Sequence, residues 1–217
     1  TAIAGKFLGI NPFDQPNVEA AKVLAKKMVS AYQEEGTLPS LTPSFEENGI
    51  RVYADVEAND LSSAWSKFLS LANAGENEGK GRSYVSIQAY VKPDSQTDEA
   101  LQKLRDKIQT TQRLAVTSGY GPRFLHSTGQ LHKGDAGNGL FIQLTSDIPA
   151  TKVGLRQDVP IPDQPGEDRS SIRFGILKDA QALGDRQALL DANRKVIRFH
   201  LTTDVASSIT RLAEAIS

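Results

Sequence analysis

Two rhythms of apolar residues alternate along this chain. Residues 16–35 set Val18, Ala21, Leu24, Ala25, Met28, Val29 and Tyr32 three and four positions apart, which gathers them on one face of a helix. Pro16 suits the first helical turn, Glu19 complements the positive end of the dipole, and Gly36 suits the stop. The same spacing predicts helices over 59–74 (Leu61, Ala64, Trp65, Phe68, Leu69, Leu71), 94–112 (Ala100, Leu101, Leu104, Ile108), 176–183, 185–193 and 204–216. Short runs with strand character lie between them, at 3–10, 50–54, 84–91, 114–116, 140–144 and 196–201. Their alternation predicts an α/β fold, a mostly parallel sheet with helices on both faces in three layers.

Residues 37–45 and 75–81 read as connectors, the second an exposed glycine-rich turn. The segment 148–173, rich in Pro, Asp and Gly, is too long for an ordinary connector and reads as a lid or surface loop within one domain spanning 1–217. No internal repeat is present. Lys and Arg number 25 against 26 Asp and Glu, for a formal charge of −1. That balance argues against general affinity for nucleic acid or an anionic membrane, so an anionic ligand needs local groups to hold it. The chain has no cysteine, which removes disulfides, thiolate nucleophiles and cysteine metal sites together. No apolar run approaches a membrane span and no signal pattern opens the chain, so a cytoplasmic location is expected. The first residue is Thr1 and the single methionine is Met28, from which we expect a piece of a longer polypeptide.

Two segments combine reactive residues with special backbone positions. Residues 9–22 read as a strand end, a sharp turn at Asn11-Pro12 and a helix N-terminus. In parallel α/β sheets such an edge takes ligands, and its free N–H groups favour anions. Gln15 offers both a donor and an acceptor, and Lys22, at the margin of the apolar arc, can reach back toward the helix start. As a plain structural residue, Lys22 is a solvated lysine whose stem lies along the core. Phe13-Asp14-Gln15, Val18-Glu19 and Lys22, at these spacings, resemble the C-terminal signature of phosphoglucose isomerases. The resemblance implies that Gln15 borders the sugar phosphate and that Lys22 lies by the ring oxygen and hydroxyl, assisting ring opening. Asn17 stands where many members have glycine.

The second segment is Leu125-His126-Ser127, then Gly129-Gln130, and it resembles the histidine stretch of bacterial members. There the matching histidine is the ring-opening acid/base, lent by a neighbouring subunit, which would make His126 catalytic and the protein a homo-oligomer. A glycine-flanked imidazole titrating near neutrality suits that role. In ordinary members this stretch precedes the lysine signature, whereas here it follows by about a hundred residues. Its longer wording, through Gln130-Leu131-His132-Lys133-Gly134, looks like the far C-terminal region of fused transaldolase–phosphoglucose isomerases. The likeness then covers nearly the whole chain and implies a sugar-isomerase-like layered fold.

Other signals are weaker. His126 and His132 stand six apart, which suits no helical metal pair, so neither metal nor cofactor is expected. Ser127 has no nucleophile-elbow pattern around it. Gly134, Gly137 and Gly139 lack a phosphate-loop lysine, and His200 alternates into a strand as a packed residue. The glutamate base and the Ser/Thr-rich phosphate loop that the isomerisation needs belong, in the family, to the part before Phe13. The expectation is therefore a portion of a glucose-6-phosphate/fructose-6-phosphate isomerase, incomplete alone. Its expected partners are the sugar phosphate and the remainder of the isomerase chain. The alternative is a non-catalytic sugar-phosphate-binding or assembly module.

Overall fold

The computed structural model describes the chain except for residues 15, 74–80, 127 and 148–157, and for residues 16–21 and 126 it describes the backbone alone. Much of the helical pattern read from the sequence is realised with side-chain caps at the predicted starts. Asp60, Asp94 and Asp204 precede α3 (Leu61–Leu69), α4 (Ser95–Gln112) and α7 (Val205–Glu214). Each carboxylate accepts the backbone N–H three residues on, at 2.8, 2.8 and 2.9 Å. These bonds satisfy donors that a helix start leaves orphaned.

The central sheet has six strands: β1 (Phe45–Glu47), β2 (Ile50–Tyr53), β3 (Tyr84–Tyr90), β4 (Ala115–Tyr120), β5 (Gly139–Ser146) and β8 (Lys195–Leu201). Their order is β1-β2-β8-β5-β3-β4. From β8 to β4 the pairing is parallel, and β2 and β1 extend it antiparallel. A separate two-stranded piece, β6 (Pro160–Ile161) with β7 (Ile172–Arg173), sits within the long connection.

The two faces of the sheet differ in chemistry. Val85, Ile87 and Ala89 of β3, Leu140, Ile142 and Leu144 of β5, and Ile197, Phe199 and Leu201 of β8 point to one side. There they bury against Trp65 and Phe68 of α3, Leu104 and Ile108 of α4, and Ile209 and Leu212 of α7. Alternation puts Ser86, Gln88, Gln143, Thr145, Arg198 and His200 on the other side. That polar side is covered by α5 (Thr128–Gly134) and α6 (Phe174–Asp191), and α2 (Pro16–Glu35) packs along α6 and against α5. The sheet therefore lies between two helical layers, as the alternation predicted.

Four expectations need correction. Residues 3–10 form no strand: α1 (Ala2–Leu8) is a helix, ended by Gly9 at φ +67°. Ile3 and Phe7 stand four apart, which suits a helix as well, and a short apolar run cannot be assigned by periodicity alone. The two segments 176–183 and 185–193 are one continuous helix, α6. Gly184 does not break it, because it is the point where α2 crosses. A Cβ there would lie 2.8 Å from the Ala25 nitrogen. The connector at 37–45 ends in an unforeseen edge strand, β1, and residues 128–134 form the unforeseen helix α5. The glycine-rich turn at 75–81 and the first part of the loop at 148–173 fall largely outside the described residues. Among the described residues no helix is long and apolar enough to cross a membrane.

Gly184→Ala should force α2 away from α6, since the Cβ meets backbone that no rotamer change can clear. We expect a loss of about 1–3 kcal/mol with the helical content retained, measured by urea unfolding monitored by circular dichroism.

Candidate functional site

The turn that carries the lysine signature is built by one side chain. Asn11 accepts the Phe13 N–H at 3.1 Å through Oδ1 and donates from Nδ2 to Asp14 Oδ1 at 2.8 Å. Pro12 closes over Gly5 of α1, where a Cβ would come 2.6 Å from the proline ring. Lys22 follows on α2 with its side chain exposed. Gln15 is outside the described residues, and of His126 only the backbone is described, as the last residue of a 3-10 turn, Arg123–His126.

The two motif segments meet. Gln130, one turn beyond His126, donates from Nε2 to the Asp14 carbonyl at 3.2 Å, across 116 positions of sequence. The route is not the expected one, because α2 is not fed by a strand. Leu24 and Ala25 face Gly184 in the middle of α6, while Gln33 Nε2 reaches Ser171 Oγ at 2.9 Å, just before α6 begins. The helices are antiparallel, so Lys22 lies on the half of α2 away from the start of α6.

The start of α6 lies where a parallel sheet of this order offers a crevice. The chain leaves β3 toward β4 and leaves β5 toward β8, so the connections diverge at the carboxyl ends of two neighbouring strands. Lys178 occupies this point. Its ammonium donates to the Tyr90 carbonyl at 3.2 Å and the Ser146 carbonyl at 3.3 Å, and stands 3.2 Å from the Asp179 carboxylate. Beside it, Arg198 Nε donates to Thr145 Oγ1 at 3.1 Å. His200 Nδ1 meets the same oxygen at 2.9 Å and His200 Nε2 meets Asp147 Oδ1 at 3.1 Å. Burial pulls the His200 pKa down, against the pull of Asp147.

Behind this edge lies a buried polar layer that the sequence reading did not anticipate. Lys133 Nζ contacts Asp185 Oδ1 at 2.5 Å with side chains 3 % and 0 % exposed, and also donates to the Gly129 carbonyl at 3.2 Å. Tyr90 Oη donates to the other Asp185 oxygen at 3.4 Å. Burial raises the Asp185 carboxyl, with Lys133 and Tyr90 opposing it, and burial next to Asp185 holds the Tyr90 phenol well above its usual range. Arg194 ties the end of α5 to β8 by donating to the His132, Lys133 and Asp135 carbonyls at 3.0, 2.7 and 2.8 Å. The only signal was the presence of a lysine and an acid 52 positions apart, and a sequence does not show that they face each other.

His132 is a packed residue. Its ring lies among Tyr84, Phe124 and Phe141, with Nδ1 3.3 Å from Gln88 Nε2 and Nε2 3.5 Å from Ser86 Oγ. Burial, with Lys133 adding to it, pushes its pKa down to about 4. Among the described residues no group of three or more His, Cys, Asp or Glu is placed to hold a metal ion.

No family model matches this chain, and no curated protein matches it. Among solved structures it is similar to hypothetical protein TT0462 from Thermus thermophilus. The TM-score is 0.47 and the identity 18 %, over 61 % of this chain and 34 % of that one. The chain thus spans about a third of that protein's length.

The His132 environment sets a pH dependence. The ring protonates near 6.5 when the chain is unfolded and near 4 when folded, so the unfolded chain binds the proton first as pH falls. Stability from this group is complete above pH 6.5 and declines through that window to pH 4, by at most about 3 kcal/mol at 1.36 kcal/mol per unit. Urea unfolding at pH 7 and pH 4.5 should show a smaller difference for His132→Leu than for the native chain.

Proposed function

We propose that this chain is the C-terminal part of a glucose-6-phosphate/fructose-6-phosphate isomerase, most like the isomerase half of a transaldolase fusion. The observation that carries the reading is the bond from Gln130 to the Asp14 carbonyl. It joins the two segments whose wording resembles the family, although they lie far apart in sequence and in an unusual order. In this reading His126 and Lys22 serve ring opening, in which the C1 hydroxyl loses a proton and the ring oxygen gains one. Gln15 borders the sugar phosphate. The base that moves the proton between C1 and C2, and the loop that grips the phosphate, come from the remainder of the polypeptide. A cytoplasmic enzyme needing no cofactor follows from the same reading.

A second observation supports incompleteness. Ile3, Phe7, Leu8, Ile10 and Phe13 are all exposed, Phe7 at 87 %, next to the lysine signature. Clustered exposed apolar side chains of this kind mark surfaces that another protein body covers. The remainder of the isomerase, or a second copy, fits that need.

Two measurements test the reading. The chain alone should convert no glucose 6-phosphate in a coupled assay, and robust turnover would mean that the base lies within it. In the polypeptide that carries the chain with the rest of the isomerase, Lys22→Ala should lower kcat/KM on the order of 10²–10⁴-fold with an unchanged melting temperature. That is roughly 2.7–5.5 kcal/mol of barrier. As a solvated lysine, its removal would leave the kinetics alone and shift stability by no more than about 0.5 kcal/mol. Near-native kinetics would remove Lys22 from the site.

A further inference from the structure

The turn that bears His126 is gripped on both flanks by one set of buried groups. Upstream, Gly121 rests on the Tyr90 ring so closely that a Cβ would lie 2.5 Å from Cε1, and Phe124 meets the same ring edge-on at 5.6 Å. Downstream, α5 is tied through Lys133 to Asp185, and the Lys133 ammonium also takes the carbonyl of Gly129 in the first turn of α5. The circuit closes inside the protein, because Asp185 accepts from both Lys133 and Tyr90. Within the turn, Gly129 sits against the Phe124 backbone, where a Cβ would come 3.0 Å from the carbonyl oxygen. Residues 121–126 and 128–133 thus lie against a Tyr90–Asp185–Lys133 connection, with His126 between the two grips in the chain.

Stability alone is a poor reason for this arrangement. Taking an ammonium and a carboxylate out of water costs several kcal/mol per ion, and replacing such a pair by apolar residues of similar volume is often neutral or stabilising. What an ion pair supplies and an apolar pair does not is direction. The Gly129 carbonyl, on the same helix, holds the Lys133 ammonium at 3.2 Å, and its 2.5 Å contact with one Asp185 oxygen then joins α5 to α6 at a defined point.

We propose that Lys133, Asp185 and Tyr90 are positioning residues that hold the His126-bearing turn at the carboxyl edge of the sheet. The role assigned to His126 rests on the isomerase reading above, whereas the grip itself rests on the contacts. Single removal of Lys133 or Asp185 would strand a buried charge, so the informative variant is Lys133→Met with Asp185→Leu, which removes both.

The first measurement is amide hydrogen exchange on the chain itself. In the double variant, exchange over residues 121–133 should accelerate at least about tenfold, while the amides of β3 and β5 stay as protected as in the native chain. Unchanged exchange over 121–133 overturns the proposal and leaves the isomerase reading intact. The second measurement uses the isomerase-bearing polypeptide. The double variant should lose at least about tenfold in turnover of closed-ring glucose 6-phosphate and little with an open-chain analogue, because only ring opening needs the placed imidazole. Equal losses on both substrates overturn the positioning role in favour of general destabilisation. If the native polypeptide lacks isomerase activity, the isomerase reading fails with it, and the exchange result alone decides whether the grip exists.

Discussion

Lys133 and Asp185 meet at 2.5 Å in a space that water does not reach, and the polar side of this molecule is organised by that contact. An unpaired charge at either position would be too costly to bury, so α5 and α6 are obliged to approach each other wherever the protein is folded. Tyr90 joins them from the sheet, and its ring supports Gly121 and Phe124. Arg194 then fastens the end of α5 to the start of β8 through three carbonyls. One desolvated pair thus reaches, through short links, the turn at the end of β4, both covering helices and β3.

The two faces of the sheet divide the work. On one side aliphatic and aromatic residues from β2, β3, β5 and β8 meet α3, α4 and α7 in one continuous core, which supplies the non-directional part of stability. On the other side glutamine, serine, threonine, histidine and arginine side chains stand among small apolar clusters at Tyr90 and Phe141. Polar groups there need partners at fixed angles, so this side specifies geometry more narrowly than the apolar one. It is also the side on which Lys178 closes the crevice between the ends of β3 and β5, by binding a carbonyl from each. A lysine engaged in this way is a latch between helix and sheet more than a group awaiting a ligand.

The helices of the apolar face were legible from their apolar arcs, and the aspartate cap that the structure shows at each start agrees with them. The run at 3–10 carried one signal only, a short apolar stretch, and its helix came as a correction. Gly184 was misleading for the opposite reason: a glycine inside a helical pattern usually weakens it, but here the missing Cβ makes room for another backbone. At the candidate site the types of residue were readable, and the Asn11-Pro12 turn was where expected. The bond from Gln130 to the Asp14 carbonyl was not, because nothing local relates two segments 116 positions apart.

By itself the sequence determined the alternation of strands and helices, the parallel character of the sheet, the extents of α2, α4 and α7 and the residue types grouped in the two reactive segments. These follow from interactions between near neighbours, which a period of two or of three-and-a-half makes visible. The strand order, the antiparallel edge, the crossing of α2 over α6 and the pairing of Lys133 with Asp185 were decided only in the tertiary structure. Each depends on which distant surfaces meet, and burial turns that meeting into an obligation to pair charges and to make room for backbone.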